Sequence, residues 1–231
     1  MLSIIIPTYN VVDYIEECLD SIEKQTILKD IEYEIILGVD HCKKTLDKIQ
    51  LIRNNYTNLR IIYTDSNKGL FITLNTLISI SNYKYLLKFD SDDIMQPNLV
   101  ETLWKHRKQY DLIRFGYYFY FSENKKTDPS PRCANGVYLV NSEIYTEFGG
   151  YEPWICSADT EFLQRFSSTN KKQLKLNNEK LFFYRQHNQS LCNHPETGLG
   201  SKKRSEYQKK YLGKAVTNIF VTPVVNTYTE L

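Results

Sequence analysis

Paired cysteines, long apolar runs and an excess of charge are all missing from this sequence of 231 residues. The five cysteines, at positions 18, 42, 133, 156 and 192, show neither CxxC spacing nor a paired framework, which favours a reduced, cytoplasmic setting. The chain has no secretory signal pattern and no apolar run near the ~20 residues that span a bilayer, so we expect at most peripheral membrane contact. The net charge is only +2, which gives no global field toward nucleic acid and predicts no nucleic-acid partner.

The residues that are present have the balance of a globular protein. Hydrophobic residues make up 42% of the chain and charged residues 24%, so extended disorder is not expected. The 18 tyrosines and 11 phenylalanines predict an aromatic-rich interior or binding surface. The length fits one large α/β domain with a buried core.

Apolar runs alternate with amphipathic segments along the first half of the chain. Residues 3–6 are a continuous apolar run that Pro7 ends, which predicts a buried strand of a parallel sheet. From Asp13, the predicted cap of a helix, apolar residues recur with helical spacing at Ile15, Cys18, Leu19 and Ile22. Further strands, separated by helical segments, are predicted at 33–39, 59–63 and 85–89. This alternation predicts an α/β fold with a mostly parallel sheet flanked by helices.

The regular alternation stops near the middle of the sequence. A long aromatic strand is predicted at 112–121, and residues 122–135, which are rich in charge, Pro, Ser and Asn, predict a flexible loop. Later elements are predicted as a strand at 137–140, a short helix ending at Gly149-Gly150, a helix at 159–166 and a strand at 181–184. We therefore predict one domain over 1–195, with a nucleotide-binding half at 1–121 and an acceptor-side catalytic half at 122–195, followed by a helical tail at 196–231.

Three carboxylates follow the strand predicted at 85–89. Asp90, Asp92 and Asp93, with Ser91 between them, would repel one another in an unfilled site, and a bound cation is the usual remedy. Mg²⁺ and Mn²⁺ prefer oxygen ligands and commonly bridge carboxylates to substrate phosphates. Such a string predicts a metal-diphosphate site, with capping of the turn before Pro97 as the alternative.

Three segments around these carboxylates resemble family 2 glycosyltransferases of the GT-A fold. They are SIIIPTYNVVDYIEECLDSIEKQT at 3–26, SNKGLFITLNT at 66–76 and KFDSDDIMQP at 88–97. The resemblance extends with weaker matches to about residue 190. It implies a Rossmann-like sheet, a nucleotide-sugar donor, Mn²⁺ or Mg²⁺ as cofactor, and hexosyl or N-acetylhexosaminyl transfer with inversion at the anomeric carbon.

The resemblance also implies roles for individual residues. Asp40 would accept a hydrogen bond from uracil, which favours a UDP-sugar, although it is also explained as a strand-end cap and Val39 departs from the family pattern. The metal ligands implied are Asp92, Asp93 and His187, with a structural His187 as the alternative. The implied donor-binding residues are Pro7, Thr8, Tyr9, Asp40, Lys68, Gly69, Asp90, Ser91, Asp92 and Arg185.

The general base implied by the resemblance is Asp159. It lies in SADTEFLQR at 157–165, which is similar to the family's Glu-Asp helix motif, with Arg165 six residues later and Ala158 in place of the usual Glu. A carboxylate there would take the proton of the acceptor hydroxyl. Two alternatives stay open, because Asp159 also suits a helix cap and Glu161 also carries an acid.

Two other functions compete with sugar transfer. Ala158, Leu74 and the changed turn at His41-Cys42 are the grounds for a catalytically impaired nucleotide- or sugar-binding module of the same fold, and the retained acidic string argues against it. A nucleotidylyltransferase would need a glycine-rich phosphate loop after the first strand, and Pro7-Thr8-Tyr9 is not one. The expected acceptor is a glycan, a lipid-linked saccharide or a protein, and the basic segment at 201–214 predicts a solvated helix rather than a membrane-inserted one.

Overall fold

The computed structural model describes residues 1–211 and 228–231. The strands within these residues are β1 (Leu2–Thr8), β2 (Tyr33–Val39), β3 (Leu59–Thr64), β4 (Tyr85–Lys88), β5 (Ile94–Met95), β6 (Leu112–Phe121), β7 (Lys126–Asn141), β8 (Gln173–Gln186) and β9 (Tyr228–Glu230). The helices are α1 (Ile15–Glu23), α2 (Lys43–Ile52), α3 (Leu70–Ser79), α4 (Leu99–His106), α5 (Ser142–Phe148), α6 (Ala158–Ser167) and α7 (Lys202–Tyr211).

The strands form one mixed sheet in the order β5-β8-β6-β7-β4-β1-β2-β3-β9. Its centre, β4-β1-β2-β3, is parallel, whereas β7 and β9 add to this centre in antiparallel pairing. Parallel strands need crossover connections, and α1, α2 and α3 provide them between these strands. The predicted α/β fold, with helices flanking a largely parallel sheet, is confirmed.

Apolar side chains cover both faces of the central strands. Ile4 and Ile6 pack with residues of α1, α2 and α4, while Ile5 points to the other face and packs with residues of α3, α5 and α6. A strand buried on both faces needs an unbroken apolar run, which is what residues 4–6 supply. The parallel pairing brings the carboxyl ends of β1, β2 and β4 to the same edge of the sheet, at neighbouring positions about 4.8 Å apart.

The loop predicted at 122–135 is wrong, because β7 begins at Lys126 and pairs with β6 along most of its length. Many β7 side chains face solvent, so the strand lacks the alternating apolar residues that would have revealed it. The β6–β7 hairpin and β8 extend past the end of β4, where Lys88 pairs with Tyr138. These strands therefore line one side of the carboxyl edge of the parallel strands.

Two other expectations need correction. Helix α1 begins at Ile15 and is preceded by Tyr14 without a side-chain cap, so Asp13 is not the cap. The tail predicted to be helical contains α7, but its last residues form β9, which pairs with β3. The division of 1–195 into two halves stays a prediction, and both halves contribute strands to the same sheet.

No described helix is both long enough and apolar enough to cross a membrane. The basic segment predicted at 201–214 continues beyond the described residues after 211. Within its described part, the Tyr207 ring lies 6.2 Å from the Trp154 ring, and Gln208 donates to the Ser157 hydroxyl at 3.3 Å. Helix α7 therefore packs against the segment that leads into α6.

Candidate active site

The acidic string forms a tight turn where β4 ends. The Asp93 N–H donates to the Asp90 carbonyl at 3.2 Å, which closes the turn, and Ser91 is buried inside it. Lys88 is the last residue of β4, two residues before Asp90, and it is buried. Its ammonium group donates to Asp90 Oδ1 at 2.7 Å and also to the Gly136 carbonyl of β7. Burial raises the pKa of Asp90 in spite of this lysine. The turn therefore has a fixed conformation with Asp90 anchored by one oxygen.

Asp93 points into the protein rather than toward solvent. Its side chain is fully buried, and Oδ1 accepts the Arg185 N–H at 2.9 Å. Its Oδ2 has no hydrogen-bond partner among the described residues. Burial, with Asp92 and Asp90 nearby, raises the pKa of Asp93 well above its ordinary value. A buried carboxylate oxygen without a partner is costly unless a proton or a cation compensates it.

His187 and Asp92 come together although 95 residues separate them in the chain. His187 Nε2 lies 2.8 Å from Asp92 Oδ2, and the imidazole packs against the Tyr14 ring at 4.6 Å. Its Nδ1 is buried without a hydrogen-bond partner in the part of the chain that is described. Asp92 and His187 therefore present one oxygen and one nitrogen to the same place.

The donor set at this turn suits a divalent cation but is incomplete by itself. Among residues 1–211 and 228–231, no three His, Cys, Asp or Glu side chains are arranged to enclose a metal ion. The unpartnered Oδ2 of Asp93 and the Asp92–His187 pair are nevertheless oxygen and imidazole donors, which Mn²⁺ accepts and Mg²⁺ accepts in part. Among the described residues, only Asp92 Oδ2 and His187 Nε2 are neighbouring donors of this kind, so a metal at this turn stays a prediction.

Arg185, predicted to bind the donor, uses its guanidinium inside the protein. Nε donates to the Asp92 carbonyl at 2.7 Å, Nη1 donates to Ser122 at 2.9 Å, and Nη2 pairs with Glu17 of α1. The side chain is almost completely buried. Its described contacts hold the acidic turn to α1 and to Ser122, the residue that follows β6, so direct contact with a donor stays a prediction.

Asp159 lies in the first turn of α6, partly exposed beside Asp90. Its Oδ1 accepts the Thr160 N–H at 2.8 Å. A Cβ added to Gly136 would be 3.9 Å from Asp159 Oδ2 and 3.3 Å from Asp90 Oδ2, so both oxygens face the same small region over β7. The sequence does not predict this arrangement. Nothing in it marks Gly136, and Lys88 stands out only as a lysine within an apolar strand.

Glu161, the alternative acid, has a structural role. It is 2% exposed and forms a bidentate ion pair with Arg165, at 2.6 and 2.8 Å. Arg165 also donates to the carbonyls of Phe148 and Gly150, which ties α6 to the Gly149-Gly150 turn. Glu161 is therefore committed to packing, and of the two acids Asp159 alone faces the open edge.

Asp40 holds the loop before α3. Its Oδ1 accepts the Lys68 N–H at 2.7 Å and the Thr64 hydroxyl at 3.1 Å, and its Oδ2 accepts the Gly69 N–H at 2.8 Å. Gly69 has φ +83°, which favours glycine there, and a side chain added to it would meet open space. The alternative of a structural strand-end residue thus has direct support, while uracil binding stays a prediction.

The first-strand residues predicted to border the nucleotide differ in exposure. Pro7 and Thr8 are buried within β1, where the Thr8 hydroxyl donates to the Gly38 carbonyl. Tyr9 is 58% exposed at the end of the strand, and the Asp40 N–H donates to the Thr8 carbonyl. Tyr9, Asp40, Lys68 and Gly69 therefore share the carboxyl edge that also carries the acidic turn.

Solved structures share this fold. TarS residues 1–349 from S. aureus, in complex with UDP-GlcNAc, superpose with a TM-score of 0.67 at 18% identity, covering 80% of this chain and 58% of that one. The mannosyltransferase PcManGT from Pyrobaculum calidifontis, in complex with GDP-Man and Mn²⁺, gives a TM-score of 0.68 at 13% identity, covering 85% of this chain and 61% of that one. The fold is of the GT-A type.

Sequence comparison identifies the family. The model for glycosyl transferase family 2 matches residues 3–190, so the chain belongs to that family. The uncharacterized glycosyltransferase EpsJ of Bacillus subtilis (strain 168) is 27% identical across 91% of this chain and 68% of its own length. The uncharacterized glycosyltransferase MG060 of Mycoplasma genitalium is 32% identical over 123 residues, and the match spans only 41% of that protein.

Proposed function

We propose that the protein transfers a sugar from a nucleotide-diphosphate donor to a hydroxyl of a glycan, a lipid-linked saccharide or a protein, with inversion at the anomeric carbon. The observation that carries this proposal is the meeting of Asp90, the Asp92–His187 pair and Asp159 at one edge of a family 2 domain. Complexes of TarS with UDP-GlcNAc and of PcManGT with GDP-Man support a nucleotide-sugar donor.

Asp92 and His187, together with the free oxygen of Asp93, would hold Mn²⁺ or Mg²⁺. When bound, the ion neutralises the diphosphate, whose negative charge grows as the sugar leaves. Arg185 and Glu17 keep the turn that bears these residues in place through the Asp92 carbonyl and the Asp93 carboxylate. The complex of PcManGT with Mn²⁺ supports a divalent metal in a protein of this fold.

Asp159 would act as the general base through Oδ2. Its Oδ1 is held by the Thr160 N–H, whereas Oδ2 faces the region over Gly136. The proton of the acceptor hydroxyl moves to Oδ2 while the acceptor oxygen forms its bond to the anomeric carbon. The bond from that carbon to the phosphate oxygen breaks, and its electron pair leaves with the nucleotide diphosphate. Attack opposite the leaving group inverts the configuration.

Asp40 would select uracil, which makes UDP-sugars the proposed donors. Its carboxylate accepts hydrogen bonds from the Lys68 and Gly69 N–H groups. A carboxylate oxygen can accept more than one hydrogen bond, and the N3–H of uracil would add one at Oδ2. We expect Asp40→Ala to weaken UDP binding more than binding of ribose 5-diphosphate, measured by calorimetry. Equal losses for the two ligands would assign Asp40 to loop anchoring alone.

A screen of nucleotide-sugars for hydrolysis in the presence of Mn²⁺ tests the function as a whole. We expect at least one UDP-sugar to be cleaved slowly without acceptor, with UDP released, and faster when the correct acceptor hydroxyl is supplied. Binding of a nucleotide-sugar without hydrolysis or transfer, across a broad donor and acceptor panel, would favour the impaired binding module. That alternative draws on Ala158, which is fully buried where the family usually carries Glu.

A further inference from the structure

Helix α6, which carries Asp159, meets strand β7 at two points. Asp159 Oδ2 lies 3.9 Å from the position that a Gly136 Cβ would take. One turn later, the Phe162 ring stacks on the Tyr138 ring, with 6.0 Å between the centroids and 4° between the ring planes. Asp159 and Phe162 are three residues apart, so they are neighbours on the helix surface. The place of Tyr138 therefore bears on where α6 holds Asp159.

Tyr138 belongs to a group of three buried tyrosines whose hydroxyls bond to one another. Tyr145 of α5 donates to the Tyr138 hydroxyl at 3.2 Å, and its own oxygen lies 2.9 Å from that of Tyr151. The hydroxyls of Tyr138 and Tyr151 are also hydrogen-bonded. Three hydroxyls in mutual contact can each donate once and accept once, so they form a closed hydroxyl ring. Burial raises the pKa of all three phenols, so each hydroxyl keeps the proton that it donates.

The aromatic rings of the same tyrosines enclose Phe162. Its centroid lies 4.9 Å from that of Tyr145 and 5.1 Å from that of Tyr151, in addition to the stack on Tyr138. Aromatic pairs are favourable over a wide range of centroid distances, whereas hydrogen bonds fix both distance and direction. The hydroxyls therefore fix where the three tyrosine rings stand, and these rings fix where Phe162 can lie.

The main chain of Tyr151 is attached to helix α3. Asn75 accepts the Tyr151 N–H at Oδ1 and donates from Nδ2 to the Tyr151 carbonyl, both at 2.8 Å. Gly150 leaves room for this contact, since a Cβ there would lie 2.6 Å from Asn75 Oδ1. Helix α3 itself begins directly after Gly69, in the loop that Asp40 holds. The hydroxyl ring therefore has a support outside α6.

We propose that the hydroxyl ring of Tyr138, Tyr145 and Tyr151 positions α6, and through it the Asp159 carboxylate, for removal of the acceptor proton. The inference rests on the proposed function and adds to it three positioning residues. A base displaced by about 1 Å can lower a rate by about 10²-fold, so opening of the ring should slow the chemical step. Donor affinity should not change, because the three hydroxyls bond to one another and lie outside the acidic turn.

Tyr145→Phe tests the inference, because it removes one hydroxyl and keeps the aromatic ring that packs on Phe162. We expect kcat for transfer to fall by about 10- to 100-fold, while calorimetry shows unchanged affinity for the nucleotide-sugar. The same substitution in Asp159→Asn should cause no further loss of turnover, since the base that the ring positions is absent. Tyr138→Phe and Tyr151→Phe open the same ring and should give the same result, so the test does not depend on the folding of one variant.

Tyr56→Phe is the matched control. Tyr56 is a buried tyrosine in the core on the other face of the sheet, and its hydroxyl donates to Asp20 of α1 at 2.8 Å. Its substitution should lower the melting temperature and leave kcat unchanged. A normal kcat in the ring variants, or an equal loss of turnover with and without the Asp159 carboxylate, would overturn the inference and leave the proposed function intact. Absence of transfer by the unsubstituted protein would instead reject the proposed function.

Discussion

Replacement of Asp159 by asparagine is expected to lower the rate of sugar transfer by roughly 10²–10⁴-fold, the usual contribution of a positioned general base. Asparagine keeps the size of the side chain and the Oδ1 acceptor for the Thr160 N–H, so the start of α6 should remain intact. The group removed is Oδ2, which faces Gly136 and would take the proton. The loss should therefore appear in kcat, while affinity for the nucleotide-sugar is retained.

Glu161→Gln is the matched control for that experiment. It removes a carboxylate two residues away on the same helix, but one that pairs with Arg165 away from the open edge. Breaking one side of a buried ion pair costs roughly 3–5 kcal/mol, so the melting temperature should fall clearly. Transfer measured below that temperature should stay near normal. Full activity in Asp159→Asn, or a loss of turnover only in Glu161→Gln, would remove Asp159 as the base.

The strands and helices that the sequence predicts well are those with a buried face. Residues 33–39 match β2 in both bounds, because the strand is covered on two sides and carries the apolar residues 35–37 at its centre. The amino-terminal part of β7 escaped prediction for the opposite reason, since it is largely exposed and gains stability from pairing with β6, whereas the buried residues 137–140 are predicted as a strand. Pairing between distant segments leaves little trace in a single sequence.

The resemblance names residues that the structure brings to one edge of the sheet, but it does not give the hydrogen bonds that each of them makes. Asp92 and His187 were both named, and the structure brings them into contact. Arg185 and Asp40 were named as donor ligands, yet both side chains have several hydrogen-bond partners within the protein. Motif spacing places a residue near a site, whereas its hydrogen bonds depend on loops that fold against it from elsewhere in the chain.

Removal of divalent metal is expected to weaken UDP binding by about 10- to 100-fold, which corresponds to roughly 1.4–2.8 kcal/mol. If the diphosphate binds at the acidic turn as proposed, the carboxylates of Asp90 and Asp92 would face it with like charge when no cation is bound. Calorimetry of UDP with Mn²⁺, with Mg²⁺ and with chelator measures the effect. Asp92→Asn should remove most of the metal dependence, and His187→Ala should raise the metal concentration that is needed.

Asp47→Asn is the matched control for these variants. Asp47 is an exposed carboxylate on α2 that pairs with Lys43, so its removal lowers negative charge without touching the turn. It should leave both UDP affinity and the metal requirement unchanged. Equal UDP affinity in metal and in chelator, or unchanged metal dependence in both Asp92→Asn and Asp93→Asn, would show that the acidic string is not the metal site.

The protonation of Asp93 links the proposed metal site to the stability of the folded protein. Because burial raises its pKa in the folded protein, the metal-free fold binds the proton more tightly than the unfolded chain does. The contribution of Asp93 to the free energy of unfolding is fully present below its ordinary pKa of 3.8 and is lost as pH rises through its raised pKa in the folded protein. In chelator, we expect the melting temperature of the unsubstituted protein to fall with rising pH relative to Asp93→Asn, and Mn²⁺ to restore it. If the two proteins instead show the same pH dependence in chelator, and Mn²⁺ stabilises both equally, the buried Asp93 carboxylate takes no part in holding the metal.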